Sequence, residues 1–177
     1  MLNYNPVVSF DGTQSLSGVA NFNFASSGTI IAVARNTLSG VSTGSLLSTG
    51  GGTGPGIDAS SSAFTIHGIG GSGASVDKGS GALMLIGTYA NTRTTSGSML
   101  SANGVLGSAG GSFGISNTAS IFQIAPGFTS DIAEMVYYNR GISALEQQRL
   151  LSYLAIKYGL QIDPSLLLDY LASDGTP

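Results

Sequence analysis

Apolar residues follow two different periods along this chain, and the switch between them at residues 131–160 is its clearest architectural signal. In the segment 131–138, Ile132, Val136 and Tyr138 occupy alternate positions while Ala133, Met135 and Tyr137 fill those between, which predicts a strand apolar on both faces. A strand of that kind lies between two layers. Asn139, Arg140 and Gly141 break the alternation. Ser143 and Glu146, three residues apart, then make a capping box, in which each side chain bonds a backbone N–H of the first helical turn. A helix is predicted from about Ala144 to about Tyr158. Gly159 closes it in the left-handed conformation, and Lys157 stands at the carbonyl end of the dipole.

Upstream, short β-prone runs alternate with Gly and Ser clusters, at 7–10, 29–35, 45–48, 64–67, 82–89, 98–102, 113–115 and 120–124. Many short strands with frequent turn signals predict a sandwich or barrel. Asp11-Gly12 and Asn103-Gly104 are the strongest tight-turn dipeptides, and the second is expected to turn a hairpin. The Gly-rich tracts 50–56 and 68–73 read as loops. On the predicted helix, Leu150, Leu151, Leu154 and Tyr158 form one stripe while Tyr153 and Ile156 point elsewhere. Asp163 and Pro164 start a second short helix carrying Leu166, Leu167, Leu168, Tyr170 and Leu171. So apolar a tail is expected to pack on helix 144–158, with docking on another subunit as the alternative. One domain is therefore expected over 1–160, followed by a helical tail at 161–177.

The closing segment resembles the end of the laminin-G-like, concanavalin-A-like jelly-roll family. The residues that carry the likeness are Asp131, Ile132, Ala133, Glu134, Tyr138, Asn139, Arg140, Ser143, Glu146, Tyr153, Leu154, Ala155, Lys157, Tyr158 and Gly159. Ser130 stands where the family usually has Gly, and Ile142 where it has Leu. Weaker similarities lie at 5–13, 28–36 and 83–104, and together they cover most of 5–160. The resemblance implies an all-β fold: a two-sheet antiparallel jelly-roll sandwich with one or two C-terminal helices.

Composition adds a surface. Only 8% of residues are charged, against about 25% in ordinary soluble domains, so exposed positions must be largely Ser, Thr, Asn and Gly. Such neutral polar surfaces suit proteins outside cells or in assemblies. A net charge of −3 with six scattered cations argues against nucleic-acid binding, which needs clustered cations facing phosphate. Cys is absent, which excludes disulfides and thiolate metal sites. No apolar run approaches the roughly 20 residues that span a bilayer, so no membrane span is expected. The opening MLNYNPVVSF lacks the basic and apolar regions of a secretion leader. That agrees with a bacteriophage virion protein, assembled inside its host and released by lysis, or with a trimmed module of a secreted bacterial protein.

Candidate chemistry is sparse. A glycoside hydrolase of this fold needs paired carboxylates. Glu134 and Glu146 are the chain's two Glu; the second belongs to the helix cap, and neither has a carboxylate at an alternate strand position. Glu134 is expected to share a face with Ile132 and Val136 as a buried carboxylate satisfied by backbone donors or by Arg140. His67 is the single histidine, too few for a triad or a histidine metal site. Gly110 to Gly114 matches G-x-S-x-G without the strand-to-helix elbow, and Gly68, Gly70 and Gly73 match G-x-G-x-x-G without a following helix. Neither carries chemistry.

No cofactor is expected, and calcium is the one metal the resemblance suggests. Asp58 and Asp77 are the loop acids for it, with Asn91 and Asn117 as neutral oxygen donors. Sugar binding, the family's commonest specific role, is implied with Tyr89, Asn91 and Arg93 as the best patch and Arg35 with Asn36 as a lesser one. The expected function is a non-enzymatic structural and binding module on a virion surface or outside cells, such as a phage head-decoration or tail-associated protein. A homo-oligomer or an assembly partner would accompany it. The alternative is a secreted bacterial carbohydrate-binding or adhesion domain.

Overall fold

The computed structural model describes residues 5–19, 28–36, 43–49, 56–68, 71–77, 84–90, 98–103, 105–107, 121–138 and 140–162. One antiparallel sheet, sheet 1, is built from β1 (Val8–Asp11), β3 (Gly28–Asn36), β8 (Met84–Ala90), β9 (Ser98–Ala102), β10 (Val105–Leu106) and β12 (Thr129–Tyr138). The other, sheet 2, holds β2 (Leu16–Val19), β4 (Thr43–Thr49), β5 (Gly56–Ser60), β6 (Ala63–Gly68), β7 (Gly71–Asp77) and β11 (Ile121–Ile124). Their strand orders are β1-β12-β3-β8-β9-β10 and β2-β11-β4-β5-β6-β7. A single described helix, α1 (Ala144–Tyr158), follows β12.

Alternation along β3 explains why this is a three-layer structure. Ile30, Ala32 and Ala34 point into the sandwich, where they meet Leu46, Leu47, Ile57, Phe64, Leu100 and Phe128. Ile31 and Val33 point the other way, onto Leu151, Leu154, Ala155, Tyr158 and Ile162. A strand with apolar side chains on both faces needs a cover on each, and α1 supplies the second. Thr29, also buried, ties the corner between β12 and α1: its hydroxyl donates to the Arg140 carbonyl at 3.0 Å and accepts from the Ile142 N–H at 3.3 Å.

In β12 the predicted double-sided strand is present, but its faces are assigned differently. The pairing with β3 slips between Ile132 and Glu134, so that Ala133 is an inserted bulge residue. Ile132 lies opposite Ala34 and faces the sandwich; past the bulge Met135 opposes Ala32 and Tyr137 opposes Ile30 on that same face. Glu134 opposes Val33 and therefore faces the helix. The expectation that Glu134 shares a face with Ile132 fails because one extra residue inverts the parity of everything after it.

Helix α1 has the predicted bounds and caps. Ser143 Oγ accepts from the Glu146 N–H, Glu146 Oε2 accepts from the Ser143 N–H at 2.8 Å, and Gly159 sits at φ 64°. Leu151, Leu154 and Tyr158 are buried, Leu150 is half-buried, and Tyr153 and Ile156 are exposed, as the stripe required. The second helix expected from Asp163 and the strand at 113–115 fall outside the described residues.

Other differences concern sheet 2. In the tract 68–73, expected as a loop, Gly68 ends β6 and Gly71 begins β7, the two pairing directly, while residues 69 and 70 lie outside the described residues. β2, β5 and β7 had no counterpart among the predicted strands, and neither did the two-residue β10. Asn103 takes φ 51° between β9 and β10, the hairpin expected there. Asp11 instead begins the crossing from sheet 1 to sheet 2, with Thr13 N–H and hydroxyl both donating to its Oδ1. Those bonds, the hydroxyl's foremost, hold its carboxyl below the usual range.

Candidate functional site

Sheet 2 differs from sheet 1 in having strands with one apolar face. Ile57 and Ala59 of β5 and Phe64 of β6 are buried in the sandwich, so Asp58, Ser60 and Thr65 stand on the outer side. Register completes a polar row across three strands, Ser45 beside Asp58 and Asp58 beside Thr65, with Thr43 beside Ser60 one step along. Ser45 Oγ donates to Asp58 Oδ1 at 2.6 Å.

A second irregularity shapes one wall. Pairing between β4 and β5 slips between Ser45 and Leu47, leaving Leu46 as a bulge. The 125–128 loop clips onto that bulge: Ser45 N–H donates to the Pro126 carbonyl at 2.9 Å and Ala125 N–H to the Leu46 carbonyl at 3.1 Å. Close approach requires glycine at 44, where a Cβ would stand 2.4 Å from the Gly127 carbonyl oxygen. Ala125, at φ 62°, and Phe128 are both fully buried, which anchors the loop.

The result is a cleft of about 490 Å³ lined by Thr43, Ser45, Asp58, Ser60, Thr65 and Pro126 among others. Among the described residues Asp58 is the one charged side chain that lines it. Ser60 is partly committed to the β5–β6 turn, its hydroxyl accepting from Ala63 N–H at 3.1 Å. Such a surface offers hydroxyls that both donate and accept, plus one strong acceptor.

Asp58 and Asp77 are strand residues rather than loop acids. Asp77 pairs with Ala63, so its backbone lies two strands from β5, about 10 Å away in the hydrogen-bonding direction. Among the described residues no group of three or more His, Asp or Glu is placed to hold a metal. Asn91, Arg93 and Asn117 lie outside the described residues. Tyr89 pairs with Thr29 at one end of β3, whereas Arg35 and Asn36 close the other end, roughly 20 Å away along the strand. Tyr89 is therefore separate from the Arg35 and Asn36 patch. Arg35 is half-exposed and pairs with Asp131, which also accepts from Ser9 Oγ at 2.6 Å.

Glu134 and Glu146 are engaged on the helix side. Glu134 Oε2 accepts from Lys157 Nζ and from the Tyr158 hydroxyl, both at 2.8 Å, so its partners are not Arg140 or backbone donors. The bulge and the helix register produce this: both aim Glu134 at the last turn of α1. Its bond raises Lys157 above the ordinary ammonium range, and burial followed by the bond to Glu134 raises Tyr158. Arg140 instead forks onto Glu146, with Nη1 at 3.0 Å and Nη2 at 2.7 Å. Arg140, then the Ser143 donors, lower the Glu146 carboxyl to about 2.

The cleft was missed in the sequence because β5 follows a Gly-rich tract and is only five residues long. The alternation Ile57, Asp58, Ala59, Ser60 was the available signal.

No family model matches the sequence, and no curated protein matches it. Solved structures do match in fold. The receptor-binding domain of botulinum neurotoxin type G superposes with a TM-score of 0.65 at 11% identity, over 87% of this chain and 44% of that one. The binding domain of botulinum neurotoxin DC, in complex with rat synaptotagmin II, gives 0.63 at 12% identity over 87% and 45%. A leech intramolecular trans-sialidase complexed with 2,7-anhydro-Neu5Ac gives 0.61 at 18% identity over 80% and 26%. This chain thus spans less than half the length of these neighbours. The shared fold is a two-sheet, jelly-roll-like β-sandwich.

Proposed function

We propose that this chain is a non-enzymatic binding module that holds a hydroxyl-rich ligand, a glycan, in the cleft on the outer face of sheet 2. One observation carries the reading. The helix seals the outer face of sheet 1 with apolar contacts, whereas sheet 2 presents a polar row, Ser45, Asp58 and Thr65, along an open cleft. Support for a non-catalytic role comes from the carboxylates: among the described residues Asp58 lines the cleft without a second acid, and acid–base hydrolysis of sugars uses two. Fold neighbours that bind a receptor or a sialic-acid product are compatible with it.

The laminin-G-like subfamily and display on an extracellular surface belong to the same proposal. A low-charge, Ser- and Gly-rich surface supports assembly on a particle, a phage head-decoration or tail-associated protein being the concrete case. The alternative is a secreted bacterial carbohydrate-binding or adhesion domain. A glycan array probed with the purified protein tests the shared core: saturable binding that Asp58→Ala abolishes is expected. Sedimentation with purified phage particles then separates the settings. Polysaccharide turnover that disappears in Glu134→Gln would overturn the non-enzymatic reading.

A further inference from the structure

We infer that Pro126 sets the specificity of the cleft: its ring receives the apolar side of a pyranose, so that 6-deoxy sugars are preferred to their hydroxymethyl counterparts. The inference rests on the reading of this cleft as a glycan site and specifies its ligand class. Three observations lead to it. First, the outer row runs on past β4. The ladder between β11 and β4 pairs Ile124 with Leu47 and continues into the 125–128 loop, Ala125 N–H donating to the Leu46 carbonyl and Ser45 N–H to the Pro126 carbonyl. Pro126, Ser45, Asp58 and Thr65 therefore follow one another across four neighbouring chain segments, a row of roughly 14 Å at the usual strand spacing. Second, the row changes character at its end. Three polar side chains lead to a pyrrolidine ring, and all four residues line the cleft. Third, that ring is held in place. Ala125 before it and Phe128 after it are fully buried, its carbonyl accepts from Ser45 N–H at 2.9 Å, and proline's own φ is locked. A platform fixed in advance leaves a ligand little ordering to cause.

A pyranose is itself two-sided, with hydroxyls along its edge, C–H groups on its faces and, in a 6-deoxy sugar, a methyl group at C5. Hydroxyls laid along Ser45, Asp58 and Thr65 meet groups that accept, and the Ser and Thr hydroxyls can also donate. The C5 methyl then lies against Pro126, where its removal from water is favourable. A hydroxymethyl group in that place brings a hydroxyl to a ring that can neither donate nor accept, since proline has no N–H and its ring carbons carry no lone pair. The hydroxyl gives up water without a replacement, and a polar group buried in that way weakens binding. Strand register thus sets hydroxyl recognition and an apolar contact side by side in one row.

The experiment is an array of oligosaccharides ending in a hexose, each printed beside its 6-deoxy counterpart of the same configuration, followed by titration of the best-bound pair. The wild type is expected to bind the 6-deoxy member about tenfold more tightly. Pro126→Ala, which removes the ring and keeps the carbonyl that Ser45 uses, is expected to narrow that ratio to within about twofold. Pro126→Ser, which puts a hydroxyl where the ring was, is expected to turn the preference toward the hydroxymethyl member. The wild-type ratio decides by itself should either variant fail to fold. A ratio near one in the wild type, or a preference unmoved by Pro126→Ala, would overturn the role of Pro126 while leaving a sugar-binding module intact. Failure of every glycan to bind would remove both the preference and the reading beneath it.

Discussion

The two outer faces of this sandwich put the same backbone geometry to opposite uses. β3 and β12 place Ile31, Val33 and Tyr138 on the outer side of sheet 1, where α1 and Ile162 close over them. β4, β5 and β6 place Ser45, Asp58 and Thr65 on the outer side of sheet 2, which carries a cleft. Each face carries a bulge that shapes it, Ala133 in β12 and Leu46 in β4. On the sealed face the bulge brings Glu134 under Lys157 and Tyr158; on the open face it lets the 125–128 loop form a wall. The difference teaches that a single inserted residue can serve closure or access, depending on which side chains follow it.

Breaking the sealed face should have the largest effect on stability. Leu154 is fully buried between α1 and sheet 1, and Leu154→Ala is expected to destabilise by about 2–5 kcal/mol, the lost burial plus a cavity. Urea unfolding of the variant measures it. A smaller loss is expected from Gly44→Val on the open face. There the added side chain meets the Gly127 carbonyl, and overpacking of this kind costs about 1–3 kcal/mol. Because that contact forms the cleft wall, glycan binding should fall in the same variant, whereas Leu154→Ala should leave the affinity of its folded fraction unchanged.

How far these faces were legible in the sequence follows from how local their causes are. Ser143, Glu146 and Gly159 act within one turn of the helix, so the bounds of α1 could be read directly. The apolar strand at 131–138 could be read too, but not its faces. Ala133 fits either environment, and nothing in its identity announces a bulge. β2, β5 and β7 are rich in Ser and Gly, and their strand character comes from pairing with neighbours rather than from their own propensity. Asp58 was visible as a loop acid, which the family resemblance made a calcium candidate together with Asp77. Its actual setting, a row formed with Ser45 and Thr65, exists only once three strands are in register.

A pH titration sharpens the comparison further, since the strongly lowered carboxyl belongs to the corner beside the sealed face. Glu146 is held at about 2 from an ordinary value of 4.5 by Arg140 and by the Ser143 donors. A carboxyl lowered in the folded state stabilises fully above its unfolded value, and the contribution is lost as pH falls through the folded one. The wild type should therefore lose stability between about pH 4.5 and 2, and Glu146→Gln should flatten the dependence over that window. Urea midpoints at pH 5, 4, 3 and 2 provide the check. The exposure of this pair makes the effect smaller than that of either packing variant.

The smallest expected change in stability comes from Asp58→Asn, and it is the most telling contrast with Leu154→Ala. Asp58 is partly buried, and one of its contacts is the hydroxyl of Ser45, from which an asparagine oxygen can still accept. Unfolding should shift by no more than about 0.5 kcal/mol, the range of surface substitutions that break no buried network. If the fold required this carboxylate, the melting temperature would fall with the charge, and Asp58 would have to be counted among the groups that hold sheet 2 together. An unchanged melting temperature with altered ligand binding would instead mean that the open face tolerates chemical change because the polar row does not hold the fold together. The freedom that the sealed face lacks is then what leaves the cleft available for recognition.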